Sequence, residues 1–413
     1  MLYLLCVITL AFVVFNLKWT KMDWMTPPVI FSAAFLCYAA VCVVEKNAYA
    51  IEMIPATVGV ITAGLAVFSL VSWITEKLNR KTTAVRMPQF IEFNNIYVML
   101  LIIAQILSII FFIKYLGNLS DAYSAISGES YAGLGAKIKL YDTMTKFWTD
   151  TYAQLAVPIP FVYRVTNPLC CAAEYLLLYI FYMRQGRQYR LNGKLLGIMA
   201  ASAGTLCLLM LALLFAMGRG TDGFNIFGYI FNYVGAPVVN LDTFLRNNDI
   251  TLFRGVSEVP VFAPHILRGL YAYIAKVCGT NLFSIAEINF FSFSRNGIEI
   301  GNVYTMFYKI IFDFGYFGVV CWTGMMALYY SVTYVKVRTN ISRHPIDFRL
   351  FIYAYLFNDL VMSAFSNRFY ETIFDAPFIK LVPVAFVLDK FIVEYRVPEK
   401  MMQWIGGKMR EKK

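Results

Sequence analysis

Long apolar runs alternate with short polar stretches along the chain, at 2–17, 27–44, 55–75, 96–116, 168–183, 194–217, 303–335, 347–366 and 373–395. Most approach the roughly 20 residues that a helix needs to cross bilayer hydrocarbon. Backbone groups find no water in lipid, so each run predicts a helix, whose hydrogen bonds are all internal. Ten-residue segments of alternating polarity, the mark of an outer-membrane barrel, do not occur. Neither a repeat of fixed period nor a low-complexity segment interrupts the pattern. No Lys or Arg precedes the first run and no small-x-small site follows it, so it reads as an uncleaved first span.

The polar connections orient these helices. Segment 76–95 carries Lys77, Arg80, Lys81 and Arg86; segment 184–194 carries Arg184, Arg187, Arg190 and Lys194; segment 336–349 carries Lys336, Arg338, Arg343 and Arg349. The tail from Arg396 is also basic. The bias of Lys and Arg places all four on the cytoplasmic side. One arrangement satisfies them, with the N-terminus outside, the C-terminus inside and nine crossings. Segment 219–241 is apolar but short and broken by Gly and Pro, so it reads as re-entrant, interfacial or a hairpin. A single crossing there flips the N-terminal half and raises the count to ten.

The expected fold is therefore an all-α polytopic integral membrane protein. It forms a single transmembrane domain over 1–413, with nine to eleven helices. Two sizeable loops fall outside, 117–167 and 218–302, the second with re-entrant or amphipathic helices. Long external loops of this kind usually carry function.

Composition strengthens this picture. Hydrophobic residues make up 59% and charged residues 15% of the 413 positions, and mean hydropathy is +0.61. No soluble globule hides that much apolar surface, which excludes secreted and cytosolic enzymes and disordered proteins. The net charge of +11 matches the basic cytoplasmic connections rather than nucleic-acid binding. The tail Lys408–Lys413 can attract anionic lipid. Eight Cys without a CxxC, seven of them in apolar runs, and only two His give no expectation of a disulfide framework or a metal site.

Two apparent motifs lack their context. Gly218–Gly223 spells GxGxxG, but a membrane helix precedes it where a dinucleotide site needs a strand. Asp313-Phe314-Gly315 spells the kinase triplet without any other kinase signature. More informative is 264–278. Ile266, Leu270, Ile274 and Val277 share one helical stripe, with His265, Arg268 and Lys276 opposite. This predicts an amphipathic helix at the interface with a cationic face suited to a diphosphate, or to water.

Arg219, Arg246, Arg254, Arg268, Arg295 and Arg368 fall on the external side, where the planar guanidinium fork suits phosphate oxygens. Asp313 and Asp359 fall inside apolar runs. At about 1.5 Å per residue both reach a similar depth, roughly 12–14 Å from the external ends of their spans. Acids inside a membrane mark functional sites by default, and ion pairing or backbone bonding is the structural alternative. Glu258, Glu287, Asp242 and His265 are the other external candidates for a general base, and sequence does not rank them.

The stretch Gly301-Asn302-Val303-Tyr304-Thr305-Met306-Phe307, followed by Ile311-Phe312-Asp313-Phe314-Gly315-Tyr316-Phe317-Gly318, resembles the signature of the Wzy-type O-antigen polymerases. This family polymerises oligosaccharide repeat units. Gly218-Arg219-Gly220, Tyr233 and Val239-Asn240-Leu241 are similar to the family's middle section, and the likeness covers mainly 218–335. It maps Arg219, Asn302, Tyr304 and Asp313 onto the family pattern.

The resemblance implies a GT-C-like glycosyltransferase in the bacterial inner membrane, active on its periplasmic face. Its substrate would be a glycan on undecaprenyl diphosphate, transferred to the distal sugar of a second lipid-linked unit, for O-antigen or a related surface polysaccharide. It implies no cofactor or metal, and partners in a flippase and a chain-length regulator. On that basis Arg219, Arg254, Arg268 and Arg295 are expected to hold the diphosphate with Asn302 and Tyr304. Glu258, His265 or Asp313 would act as base or orienting acid. A lipid-linked oligosaccharide flippase and an O-antigen ligase are the rival readings. An acyltransferase built on His344 lacks an acid partner at a telling spacing.

Overall fold

A computed structural model of the chain describes residues 1–79, 95–128, 235–279, 290–339 and 348–388, with a few isolated residues outside these stretches. The expected helices at 168–183 and 194–217, together with Arg219 and Glu287, lie outside the described residues. The chain divides into two units. The smaller contains α4 (Asn95–Ser127). That helix carries residues 117–127 that the sequence pattern assigns to a loop.

The described residues are mostly helical. In the first half of the chain α1 (Leu2–Trp19), α2 (Pro27–Val44) and α3 (Pro55–Asn79) follow the apolar runs closely. Pro27 and Pro55 open their helices, where a missing N–H costs nothing. Farther on come α5 (Ala236–Asn247) and α6 (Arg268–Cys278). Strands β1 (Ser292–Phe293) and β2 (Glu299–Gly301) form a small antiparallel hairpin. Next are α7 (Phe307–Thr339) and α8 (Phe348–Val361), then a 3-10 turn (Met362–Ala364), α9 (Arg368–Ile373) and α10 (Ala376–Leu388). Among the described residues four helices, α1, α2, α3 and α7, are long and apolar enough to cross a membrane.

Polar side chains join these helices inside the bundle. Buried Asn16 of α1 donates to the Pro28 carbonyl (3.1 Å) and Ser69 Oγ (3.0 Å) and accepts from Trp19 (3.0 Å). In an apolar surround such bonds fix register more than they add stability. The second half of α7 runs alongside α3 in the same direction, with Gly324 against Val67 and Ser331 bonded to Ser72 (2.7 Å). At the end nearest the α1–α2 turn, Tyr334 donates to Asp23 (2.6 Å).

The run 303–335 is not one straight span. Helix α7 breaks at Gly315, whose φ of 65° and ψ of −160° belong almost only to glycine. Its first turn also starts inside the bundle. The Phe307 ring sits against Gly64 and stacks on Phe35 (5.4 Å). Gly64 is nine residues from Pro55 and Phe35 nine from Val44, so Phe307 lies about 13 Å inside the loop-side ends of α3 and α2. The Met306 N–H bonds the Ser363 carbonyl just past the end of α8 (3.0 Å). Two chain reversals therefore meet within the bundle rather than above it.

Candidate functional site

A helix break leaves carbonyls unpaired before it and N–H groups unpaired after it. Here the segment 251–257 satisfies both sides. The N–H groups of Val256 and Ser257 donate to the Phe312 carbonyl (2.8 and 2.9 Å). On the other side, the N–H groups of Tyr316 and Phe317 donate to the carbonyls of Thr251 and Leu252 (3.2 and 2.7 Å). The approach is close because both partners are glycine where backbones touch. A Cβ on Gly255 would stand 2.2 Å from the Phe312 oxygen, and one on Gly315 2.4 Å from the Thr251 oxygen.

Asp313 lies two residues before the break, and its carboxylate is fully engaged. Oδ1 lies 2.7 Å from His265 Nδ1, while Oδ2 accepts the backbone N–H groups of His265 and Ile266 (3.1 Å each). Their side chains are 6% and 0% exposed, so the pair is shielded from bulk water. An ionised Asp313 accepts a hydrogen bond from Nδ1–H, which fixes the imidazole tautomer whose Nε2 carries the lone pair. The ring packs edge-on against Phe312 (4.6 Å). An aromatic row, Tyr304–Tyr308–Phe312, leads to it, with 4.0 Å between the first two rings and 5.9 Å between the last two.

The structure thus brings two of the sequence candidates together. His265 is not on the cationic face of an amphipathic helix over 264–278. The helix starts only at Arg268, and His265 sits in the turn before it, buried against α7. Arg254 and Glu258 are exposed on the segment that closes the break. Arg268 donates from Nε to the Ile285 carbonyl (3.0 Å). Arg295 pairs with Glu52, and Asn296 beside it bonds the Ala48 carbonyl (2.7 Å). Asn302 and Tyr304 lie between β2 and α7, a passage held by Asn240 Nδ2 on the Val303 carbonyl (2.8 Å). Tyr304 donates to the Phe290 carbonyl (3.0 Å).

Two other acids have separate roles. Asp242 accepts from the Ile54 N–H (2.8 Å), Thr57 (2.6 Å) and Arg246 (2.8 Å), anchoring α5 to the N-terminus of α3. Asp359, in α8, faces Tyr329 and Thr372. Sequence reasoning missed a neighbouring ion pair. Lys309, one helical turn before Asp313, is buried and donates to Glu371 (2.9 Å). A Lys inside the apolar run 303–335 was the available signal, because a cation there needs a partner.

The arrangement offers a sheltered proton acceptor at His265 Nε2, oriented by an anion, beside an exposed Arg and Glu on a loop wedged into a broken helix. No family model, curated protein or solved structure matches this chain.

Proposed function

We propose that the chain is a membrane glycosyltransferase that polymerises undecaprenyl-diphosphate-linked oligosaccharide repeat units at the periplasmic face of the bacterial inner membrane. The observation that carries the reading is the buried His265–Asp313 pair at the break of α7. Support also comes from the family-like residues Asn302, Tyr304 and Asp313, which lie along the same passage and half-helix.

In this reading the acceptor sugar hydroxyl attacks the anomeric carbon of the donor glycan. His265 Nε2 takes the hydroxyl proton as the new C–O bond forms. Asp313 is a positioning residue, holding the tautomer and stabilising the imidazolium that results. The anomeric C–O bond to phosphate breaks, and undecaprenyl diphosphate leaves with its added negative charge. Arg254 and Arg268 supply cationic stabilisation to that charge. Arg219, by the family pattern, would join them. Both substrates carry a lipid at one end, which suits a site built from membrane helices and an inserted loop.

The test is made in the glycan-producing host. The gene is deleted and complemented with wild type, His265→Gln and Asp313→Asn, each verified in the membrane. A polymerase leaves single capped repeat units in the deletion strain, and neither variant restores the polymer ladder. Lipid-linked units trapped inside would instead mean a flippase, and full-length polymer left on undecaprenyl diphosphate a ligase. An unchanged ladder in the deletion strain sinks the glycan reading.

A further inference from the structure

The second half of α7 presents a row of exposed apolar residues: Phe317, Cys321, Met325 and Leu328. Their spacing of four, four and three puts them on one face of the helix. On a helix of crossing length such a face meets lipid chains. The row does not stop where the helix does. Phe253 lays its ring against Phe317 (5.2 Å), and Leu252 is bonded to the Phe317 N–H through its carbonyl. Phe262 contacts Phe314 (5.2 Å) on the other side of the break. Leu252, Phe253 and Phe262 are 55%, 70% and 66% exposed. Three large apolar side chains on one loop, continuous with a lipid-facing stripe, form a patch that water does not favour.

The residue after Phe253 is Arg254. Its backbone is occupied, donating to Thr251 Oγ1 (3.2 Å) and accepting from the Thr251 N–H (3.1 Å). Its side chain is exposed, and among the described residues no carboxylate pairs with the guanidinium. Apolar stripe, then aromatic loop, then free cation is the order of acyl chain, interface and phosphate in one leaflet.

We propose that segment 251–262, with Phe317, is a docking edge for an anionic membrane lipid. The chains lie along Leu252, Phe253 and Phe317, and the phosphate is held by the Arg254 fork. The edge shares Arg254 with the proposed glycosyl transfer but rests on the crossing of the bilayer by α7, not on that chemistry. It makes the loop part of the membrane surface rather than a free periplasmic segment. An anionic lipid held there has its headgroup on the loop that closes the α7 break, two residues past Asp313.

The experiment uses the full chain in nanodiscs of phosphatidylcholine with a minor fraction of phosphatidylglycerol. The photoreactive residue p-benzoylphenylalanine replaces Phe253 in one variant and Leu328 in another. Cross-linked products are identified by mass spectrometry, so no transfer activity is needed. The expected result at 253 is phosphatidylglycerol adducts enriched about fivefold over the mole fraction of that lipid. The enrichment disappears when Arg254→Gln is added. At 328, in the middle of the stripe, adducts follow the bulk composition, which also shows that the protein is folded in the bilayer. Peptide adducts at 253, from another chain or a second copy, overturn the proposal. So do lipid adducts there that follow bulk composition with or without Arg254, and so does an absence of adducts at 253 while 328 reacts.

Discussion

At the residue scale the pairing of His265 with Asp313 sets the sharpest expectations. His265→Gln removes the proposed proton acceptor and is expected to lower the transfer rate by roughly 10²–10⁴-fold. Rate measurement on purified protein with lipid-linked repeat units checks this, and wild-type turnover would remove His265 from the mechanism. Asp313→Asn keeps an acceptor oxygen for the backbone N–H groups but loses the charge that orients the ring, so activity falls while the fold survives. Asp313→Ala goes further and leaves the N–H groups of His265 and Ile266 unpaired. A buried donor left without a partner costs about 1–3 kcal/mol. Asp313→Ala therefore melts at lower temperature than Asp313→Asn in the same detergent, and equal melting would contradict the bonding described. Both residues were visible as candidates in the sequence, Asp313 as an acid inside an apolar run and His265 as one of only two histidines. Their pairing was not, because 48 positions separate them and no periodicity links a loop residue to a helix it crosses.

At the element scale the break in α7 matters most. Gly315→Ala places a Cβ 2.4 Å from the Thr251 oxygen and demands a backbone conformation that costs an L-residue of order 1–3 kcal/mol. The loop is expected to detach from the helix. Trypsin then cuts after Arg254 faster in the variant than in wild type, and an unchanged cleavage rate would mean that the contact does not hold the loop. The sequence disclosed that a helix lay in 303–335, because length and hydropathy are properties of the run as a whole. It concealed the break. Glycine is common in membrane helices, and in the sequence Gly315 stands out only as the last residue of the Asp313-Phe314-Gly315 triplet within the family-like stretch. What distinguishes it is the approach of segment 251–257, a tertiary fact. The helix expected over 264–278 is present as α6 but begins four residues later, at Arg268, for a related reason. Ile266 and Val277 fit one stripe on paper, yet Ile266 is buried in the turn before the helix begins, where the chain packs on α7.

At the scale of the whole molecule, the polar contacts between α1, α2 and α3 act on register. Asn16→Leu removes bonds to two neighbouring helices and is expected to destabilise by about 1 kcal/mol. Transfer activity stays at the wild-type level, and a large loss of activity would show that this network reaches the site. Orientation is testable separately. Exposed Cys278, on the expected external side, reacts with a membrane-impermeant maleimide applied to spheroplasts in a variant lacking the other cysteines. Labelling only after lysis would invert the arrangement. Helix positions were legible here because lipid forces length and composition together, whereas the loops that build the site obey no such rule. The mutual capping of loop and helix also has a consequence for synthesis. The ribosome makes Thr251–Ser257 before it makes Phe312–Phe317, so the loop waits without the partners that will satisfy its backbone. Until then Leu252 and Phe253 can rest on the bilayer surface. A nascent chain arrested between the two segments carries an unpaired loop and a site half made, which is the form a membrane protease would meet first.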